Sequence, residues 1–470
     1  MNKQHVHFIG IVGKAMAPLA KMFLDMGWQV TGSDQKVVFP PLTTYLEKNK
    51  INFARGYARE NITGKPDLIV VGRSSLMVDS ENPELIKAKS LGCEILSYPE
   101  VLQKYLVKKN SVVVAGTYGK TTISALVSWI LDKAGLNPSF MIGGLPGNFG
   151  DGIRNTESDY SVIEGDETPA MAEADPPKFM FYKPKVVLLT AVSWDHPEIY
   201  KTEKSYIDSF KNLVKLIPED GLLVVCADGG NTKEVSREVK CPVVWYSLNR
   251  EDCQYTTCRM SNTKNSTKFL VKTPSGEIEI ETSLLGWHNL QNITGAVALC
   301  QKLGISDEVI VEGVRSFKGV KERLEILGRF KGVTLFLDFA QHPAKVKESL
   351  AALRTMYTKN KIFCVFNPHA SMLKQRKSLE WYPGGFDEVD QVIVTYVTVS
   401  KETKKEDRVI GPDIVAAISQ TQPNVFYEPV YKKVVDYLIQ EKKDGDVIVF
   451  MSSGGLKNIE MIDGLKAKLS

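Results

Sequence analysis

The 470-residue sequence lacks the features that mark membrane-spanning, secreted and zinc-stabilised proteins. Its longest apolar stretches, 185–192 and 446–451, fall short of the roughly 18 residues that a transmembrane helix needs. The first residues contain no basic segment followed by an apolar signal core. Seven scattered cysteines, without a C-x-x-C pair, disfavour a disulfide framework and a structural zinc site. We therefore expect a cytoplasmic protein with no membrane partner.

The sequence also lacks a strong charge of either sign. Its 59 basic and 55 acidic residues leave a formal net charge of +4, and neither sign forms a long block. This composition does not indicate a nucleic-acid partner, so any affinity for phosphate groups must come from local sites. The length is two or three times that of a usual single domain, which predicts several hydrophobic cores.

Apolar strand-like runs alternate with helix-like segments along the chain, a pattern typical of α/β proteins with parallel sheets. We predict three domains in this class. They are a Rossmann-like domain at 1–108, a central P-loop-type domain with a parallel sheet at 109–321 and a Rossmann-like α/β domain at 322–470. Polar alternation between 249 and 283 predicts a short antiparallel segment inside the central domain.

A glycine turn between an apolar strand and a helix predicts a phosphate-binding loop. Gly116 and Gly119 permit a backbone that points N–H groups at phosphate oxygens, and the helix N-terminus adds partial positive charge. Lys120 can reach terminal phosphates, and the Thr121 hydroxyl can bind Mg²⁺. The strict G-x-x-x-x-G-K-[ST] pattern is not met, because Val114 stands at its first glycine. An ordinary strand-to-helix turn is the alternative.

A second glycine turn, Gly10 to Met16, follows the first predicted strand, and Asp34 lies about 20 residues further on. The pattern is similar to a dinucleotide-binding fingerprint, but G-x-x-G at Gly10 and Gly13 departs from G-x-G-x-x-G. Asp34 also ends a Gly-Ser-Asp segment, 32–34, that we predict to be a turn. A plain Rossmann-like turn is therefore the alternative to a nucleotide site.

Five ordered segments resemble the Mur ligases, the ATP-dependent amide-forming enzymes of peptidoglycan assembly. They are GTYGKTT at 116–122, EGDE at 164–167, WDHPEIY at 194–200, GWHNLQN at 286–292 and LDFAQHP at 337–343. The resemblance implies a ligase that uses ATP and Mg²⁺ and activates a substrate carboxylate as an acyl phosphate. It also implies small-molecule substrates, and we expect a monomer or weak homo-oligomer.

The resemblance further implies site residues. The implied cofactor-binding residues are Gly116, Thr117, Gly119, Lys120, Thr121, Thr122, His288, Asn289, Asn292 and Asp338. The implied catalytic residues are Lys120, His196 and Arg323. The implied Mg²⁺ ligands are Thr121 and Glu164 for one ion and His196 for another. The UDP-sugar substrate is expected at Gly10, Gly13, Met16, Ser33 and Asp34. Helix capping is the alternative for the two asparagines, and a hydrogen-bonded core position is the alternative for His196.

Three further stretches, 30–48, 140–150 and 451–456, favour one branch of the family. They resemble the ligase that joins UDP-N-acetylmuramate to L-Ala-γ-D-Glu-meso-diaminopimelate in peptidoglycan recycling. We therefore expect a peptide as the amine substrate. The alternative within the family is the addition of L-alanine during peptidoglycan synthesis.

Four positions depart from the family pattern, namely Tyr118, Ala191, Leu337 and Gln341. These departures leave open a catalytically impaired protein that binds a nucleotide or a UDP-sugar. A nicotinamide-dependent oxidoreductase is a third hypothesis, which depends on the first glycine turn alone.

Overall fold

The computed structural model describes most of the chain in two compact units. The described residues are 3–38, 40–78, 81–172, 174–196, 199–262, 266–369, 373, 375–397, 407–452 and 456–469. The first unit comprises the described residues of 1–261, 267–283 and 290–318, and the second comprises those of 262–266, 284–289 and 319–470.

The first sheet of the first unit is parallel and centred on β1. Its strands are β1 (His5–Ile9), β2 (Gln29–Asp34), β3 (Ala54–Arg55), β4 (Leu68–Val71) and β5 (Glu94–Ser97), in the order β3-β2-β1-β4-β5. Its helices are α1 (Met16–Asp25), α2 (Leu42–Lys48), α3 (Arg73–Val78), α4 (Pro83–Ser90) and α5 (Tyr98–Val101). The strand order reverses between β1 and β4, and ligands of open α/β sheets bind outside the strand ends at such a point.

The predicted turn at 32–34 is wrong, because these residues form the end of β2. Gly32 and Ser33 lie opposite Phe8 and Ile9 in the parallel register. Backbone pairing with β1 overrides the turn tendency of glycine, serine and aspartate, which is only a local preference.

The second sheet of the first unit holds ten strands in the described residues. They are β6 (Asn110–Ala115), β7 (Ser139–Met141), β8 (Ile153–Arg154), β9 (Tyr160–Gly165), β10 (Val186–Leu189), β11 (Leu222–Cys226), β12 (Val243–Ser247), β13 (Tyr255–Asn262), β14 (Thr267–Thr273) and β15 (Gly276–Thr282). Their order is β15-β14-β13-β12-β11-β10-β6-β9-β7-β8. The helices are α6 (Lys120–Lys133), α7 (Glu203–Val214), α8 (Thr232–Val235), α9 (Trp287–Lys302) and α10 (Asp307–Arg315). The first three residues of α9 belong to the second unit.

The register of this sheet brings three strand ends to one edge. Strands β6, β9 and β10 are neighbours and parallel, with Ala115 opposite both Gly165 and Leu189. Their apolar runs are buried, as is typical of central strands covered by helices on both faces. The predicted antiparallel segment is confirmed, since β14 and β15 pair antiparallel.

The second unit contains a six-stranded sheet. Its strands are β16 (Glu325–Phe330), β17 (Val333–Asp338), β18 (Ile362–Phe366), β19 (Gln391–Val394), β20 (Val425–Tyr427) and β21 (Val447–Met451), in the order β16-β17-β21-β18-β19-β20. Its helices are α11 (Pro343–Met356), α12 (Gly411–Ile418), α13 (Tyr431–Glu441) and α14 (Leu456–Leu469). Strand β16 pairs antiparallel with β17, while the other pairs are parallel.

In the second unit, sequence reasoning missed β16, β20, α12 and α14. Strand β16 is an edge strand with charged residues and an exposed Ile326, so it lacks the apolar run of a buried strand. None of the helices in the described ranges is both long and apolar enough to cross a membrane.

Two glycines in the second unit give a matched test of this packing. A methyl group at Gly411, the first residue of α12, would overlap the Tyr427 ring on β20. We expect Gly411→Ala to lower the free energy of unfolding by about 1–3 kcal/mol through overpacking. At Gly464, inside α14, a methyl group meets nothing within 4 Å. We expect Gly464→Ala to raise stability by about 0.5–1 kcal/mol, because alanine loses less backbone entropy in a helix. Thermal melts of both variants measure the change in stability. A change of the same sign in both variants would contradict the close contact between Gly411 and Tyr427.

Candidate active site

The turn between β6 and α6 has the backbone of a phosphate-binding loop. Gly116 and Gly119 have φ values of 127° and 75°, a region that side chains rarely adopt. A Cβ atom at Gly116 would overlap Thr190 Oγ1, and one at Gly119 would overlap Asn292 Oδ1. Both positions therefore require glycine for two independent reasons. The following helix N-terminus adds its partial positive charge to the turn.

Thr117 fastens this loop to the end of β10. Its amide donates to Ala191 O at 2.8 Å, and its hydroxyl donates to Ser193 O at 2.8 Å. The Ser193 amide donates back to Thr117 Oγ1 at 3.0 Å, and the Tyr206 hydroxyl lies 3.2 Å from the same oxygen. Both polar groups of Thr117 are thus used inside the protein. Its predicted contact with the cofactor stays a prediction, as does that of the half-buried Thr122.

The Lys120 ammonium group is held by a buried acid. Nζ donates to Glu167 Oε2 at 2.8 Å and to Gly116 O at 2.6 Å. The side chains are 15% and 4% exposed, respectively. Burial by itself lowers the pKa of Lys120, but the charge and hydrogen bond of Glu167, helped by Glu164 and Asp166, raise it overall. The lysine is therefore charged at neutral pH. Sequence reasoning left Glu167 without a role.

Thr121 and Glu164 lie together, as predicted for a pair of hard oxygen ligands. The Thr121 hydroxyl donates to Glu164 Oε1 at 2.9 Å. The second oxygen, Oε2, accepts from the amide of Gly143 at 2.6 Å. A Cβ atom on Gly143 would lie 2.9 Å from Oε1 and 3.0 Å from Oε2, so only glycine fits beside the carboxylate. Our site prediction did not include Gly143. The sequence signal for it was the Gly-Gly pair at 143–144, which follows β7.

His196 lies in a group of side chains that could hold a metal ion separate from the one expected at Thr121 and Glu164. Its ring and the carboxylates of Glu167 and Asp195 offer three atoms within 4.8 Å of one another, and this group does not include Glu164. His196 Nε2 lies 3.8 Å from Glu167 Oε1, and its amide donates to Asp195 Oδ1 at 2.9 Å. Its φ of 56° is left-handed, so the backbone is strained there. Two carboxylates and an imidazole can together bind a divalent cation.

The predicted UDP-sugar residues cluster at the ends of β1 and β2. The amides of Gly10 and Ile11 donate to Ser33 O at 2.9 and 3.0 Å. Asp34 Oδ2 accepts from the Val12 amide at 2.6 Å, so this acid caps the glycine turn. Ser33 is fully buried. Any role of its side chain in substrate binding must therefore be indirect.

Met16 also lies in the core, because its side chain packs beneath the turn. A Cβ atom at Gly13 would lie 3.3 Å from Met16 Cγ. The structure thus brings the predicted residues together but places Met16 under the turn.

In the second unit, the predicted cofactor-binding residue Asp338 is the last residue of β17, and its carboxylate is buried. Oδ2 accepts from the Leu324 amide at 3.0 Å and from the Ser349 hydroxyl at 3.2 Å. Burial raises the pKa of Asp338 despite these bonds and the nearby charge of Arg323. The guanidinium group of Arg323 lies 4.9 Å from the centre of the Phe339 ring, where it makes a cation–π contact.

Helix α9 begins at Trp287 and carries the three remaining predicted residues. The Asn289 side-chain amide donates to Leu285 O at 2.7 Å, so it links the first turn of the helix to the segment that precedes it. Asn292 lies next to Gly119 of the phosphate loop. Burial lowers the pKa of His288 to about 4, which keeps its imidazole neutral at physiological pH.

Three family models match successive parts of the chain. The Mur ligase catalytic-domain model matches residues 5–109, the Mur ligase middle-domain model matches 114–300, and the Mur ligase glutamate ligase domain model matches 322–454. The chain therefore belongs to the Mur ligase family, and it is an ATP-dependent ligase. The predicted membership of the Mur ligase family and the predicted ATP-dependent ligase activity are confirmed.

Two curated relatives match over nearly their whole length. The UDP-N-acetylmuramate–L-alanine ligase of Acetivibrio thermocellus is 31% identical over 97% of this chain and 94% of the relative. The enzyme of the same name from Pelotomaculum thermopropionicum is 30% identical over 99% and 98%. The solved UDP-N-acetylmuramate–alanine ligase of Thermotoga maritima has a TM-score of 0.77 at 22% identity, covering 99% of each chain. The predicted three-domain α/β fold is confirmed.

The prediction of a tripeptide substrate is wrong, because these full-length relatives carry the name of an L-alanine ligase. One stretch that favoured the tripeptide, 140–150, contains Gly143, which contacts Glu164. A resemblance at this stretch therefore does not by itself identify the amine substrate. Another, 451–456, lies partly outside the described residues. The nucleotide-sensor and oxidoreductase hypotheses are also set aside, since the chain is a ligase.

Gly143→Ala tests the contact with Glu164. The added methyl group would displace the carboxylate, so we expect the ligase rate constant to fall about 10- to 100-fold, as small misplacements at active sites do. Steady-state kinetics with ATP as the varied substrate measures the effect. Gly464→Ala is the matched control, and equal rates for the two variants would contradict this role of Gly143.

His288 predicts a pH-dependent stability. The pKa of His288 is about 4 in the folded protein and about 6.5 when the side chain is exposed in the unfolded chain. The unfolded chain therefore takes up the proton first as the pH falls. The free energy of unfolding should therefore decrease between pH 6.5 and pH 4. Glutamine does not titrate, so the His288→Gln variant lacks this pH dependence. The difference in free energy of unfolding between the wild type and the variant should therefore decrease as the pH falls from 6.5 to about 4. Denaturant unfolding at a series of pH values measures it, with the exposed His369→Gln as control. A constant difference would contradict the lowered pKa.

Proposed function

We propose that this chain is a UDP-N-acetylmuramate–L-alanine ligase of peptidoglycan synthesis. The observation that carries the proposal is the match to enzymes of that name over 94% and 98% of their own length. The glycine loop with Lys120, Thr121 and Glu164 supports ATP as the energy source, since each supplies a group that a triphosphate and its cation need. Because both ATP and UDP-linked sugars are cytoplasmic metabolites, we assign the reaction to the cytoplasm.

The reaction would proceed in two steps. A carboxylate oxygen of UDP-N-acetylmuramate attacks the γ-phosphorus of ATP, the bond to the β-phosphate oxygen breaks, and ADP leaves. The nitrogen of L-alanine then attacks the acyl carbon, phosphate leaves with the electron pair of the C–O bond, and the amine loses a proton. The first step joins two anions, so it requires positive charge and alignment more than covalent help.

Lys120 would provide that charge to the terminal phosphates, and the glycine loop would donate its backbone N–H groups. Mg²⁺, held by Thr121 and Glu164, would neutralise charge on the transferred phosphoryl group. The hydroxyl and carboxylate oxygens of this pair fit such a cation. The imidazole of His196, beside Glu167 and Asp195, would face the same region.

The other site residues keep their predicted roles in this proposal. We assign Asn292, Asn289 and His288 to the adenine base, Asp338 to the ribose and Arg323 to the phosphates, on the strength of the family motifs. Residues 1–108 would bind the UDP-sugar, 109–321 would bind ATP, and 322–470 would complete the ligase. Gly10, Gly13 and Asp34 lie at the edge where the first domain would hold its substrate.

An acceptor panel tests the proposal. The protein is incubated with ATP, Mg²⁺ and UDP-N-acetylmuramate, together with L-alanine, glycine or L-Ala-γ-D-Glu-meso-diaminopimelate. We expect phosphate release and a joined product with L-alanine. Lys120→Ala should lower the rate constant by about 10²-fold or more, as loss of an electrostatic group does. Lys133→Ala, at the exposed end of the same helix, is its control. Product with the tripeptide but not with L-alanine, or no turnover at all, would overturn the proposal.

A further inference from the structure

A buried carboxylate in the first domain accepts hydrogen bonds on both of its oxygens. Glu84, the second residue of α4, is 0% exposed. Its Oε1 accepts from the amide of Ala58 at 3.1 Å and from Asn61 Nδ2 at 2.6 Å. Its Oε2 accepts from the Ser33 hydroxyl at 2.5 Å and lies 3.1 Å from His7 Nε2. A carboxylate can only accept, so His7 must donate through Nε2.

These four bonds keep Glu84 ionised. Burial by itself raises the pKa of this carboxyl, but the hydrogen bonds from His7, Ser33, Asn61 and Ala58 outweigh it and leave the pKa below its usual value. An ionised group without solvent is costly, and simple packing would be served as well by an apolar side chain. Packing alone therefore does not explain Glu84, and we look for its role in the groups that it fixes by hydrogen bonds.

Those groups lie on the two sides of the end of β2. On one side, the Ser33 carbonyl accepts from the amides of Gly10 and Ile11, so the first glycine turn depends on the position of Ser33. On the other side, Asn61 Nδ2 also donates to Gly56 O at 2.9 Å, and the Gly56 amide donates to the Asp34 carbonyl at 2.7 Å. Glu84 thus links the glycine turn to the loop 56–61.

We infer that Glu84 is a positioning residue for the nucleoside diphosphate sugar, acting through Ser33 and Asn61 to set the glycine turn and the loop 56–61 around it. This inference rests on the proposed function, which places the UDP part of the substrate at this edge of the sheet. Glu84 itself is too deeply buried to touch the ligand. It explains why Ser33, a residue predicted to bind the substrate, has its side chain directed inward.

Glu84→Gln is the primary test, because it preserves shape but exchanges one acceptor oxygen for a donor. The affinity for UDP-N-acetylmuramate is measured by calorimetry, and KM is measured for this substrate and for ATP. We expect the UDP-sugar to bind about tenfold more weakly or worse, since a charged hydrogen bond is lost. KM for ATP should stay unchanged. Glu47→Gln, an exposed acid on α2, is the matched control and should change neither.

Ser33→Ala and Asn61→Ala provide a second measurement that survives if Glu84→Gln folds poorly. Each substitution removes one side-chain group that donates a hydrogen bond to Glu84. Each should lower the affinity for UDP-N-acetylmuramate without changing KM for ATP. Combined with Glu84→Gln, their effects should be less than additive, because the residues act as one unit. Additive effects, or unchanged affinity in these variants, would overturn the inference, as would equal losses for both substrates with a lowered melting temperature.

Measurements on the wild-type protein distinguish a failure of the proposed function from a failure of the inference about Glu84. Wild-type turnover with L-alanine and binding of UDP-N-acetylmuramate would support the proposed function, whatever the Glu84 variants do. Normal affinity in the variants would then overturn the inference alone. A wild-type protein that does not bind UDP-N-acetylmuramate would overturn both.

Discussion

The parallel pairing of β6, β9 and β10 is the constraint on which the candidate active site depends. Ala115 lies opposite Gly165 on one side and Leu189 on the other, so the three strands end at the same level. The segments that follow them carry the phosphate loop, the acids of 164–167 and the residues 190–196. A slip in register would separate these groups, and the buried apolar faces of the strands make such a slip costly.

Charge at this edge is balanced locally and not by an excess over the whole chain. Lys120 pairs with Glu167, and the Glu164 carboxylate is held by a hydroxyl and a backbone amide. A chain with a net charge of only +4 can still hold a polyphosphate, because the positive groups and backbone dipoles are concentrated where three strands end. The first domain uses the same principle at Glu84, where donors converge on one buried acid.

The parts of the site that are contiguous in sequence could be predicted from it. Gly116 to Thr122 follow a buried strand and begin a helix, so local chemistry and local structure agree. The role of Glu164, which lies 43 positions from Thr121, was implied by the family resemblance. Glu167 and Gly143 could not be assigned in the same way. Their roles depend on contacts with residues 47 and 21 positions away, so even the Gly-Gly pair at 143–144 could not show which side chain the glycine accommodates. The prediction of the amine substrate was wrong for a related reason. It was drawn from short stretches such as 140–150, and one of their residues, Gly143, contacts the distant Glu164.

The Lys120–Glu167 pair makes anion binding in the loop an exchange and not a simple addition. A ligand that engages Nζ must take the place of a carboxylate that already holds it at 2.8 Å. A buried pair of this kind is costly to break unless the newcomer returns at least as much interaction. Under the proposed function, this exchange would favour a triphosphate with its cation over an orthophosphate ion, because orthophosphate offers the lysine little beyond what Glu167 already provides.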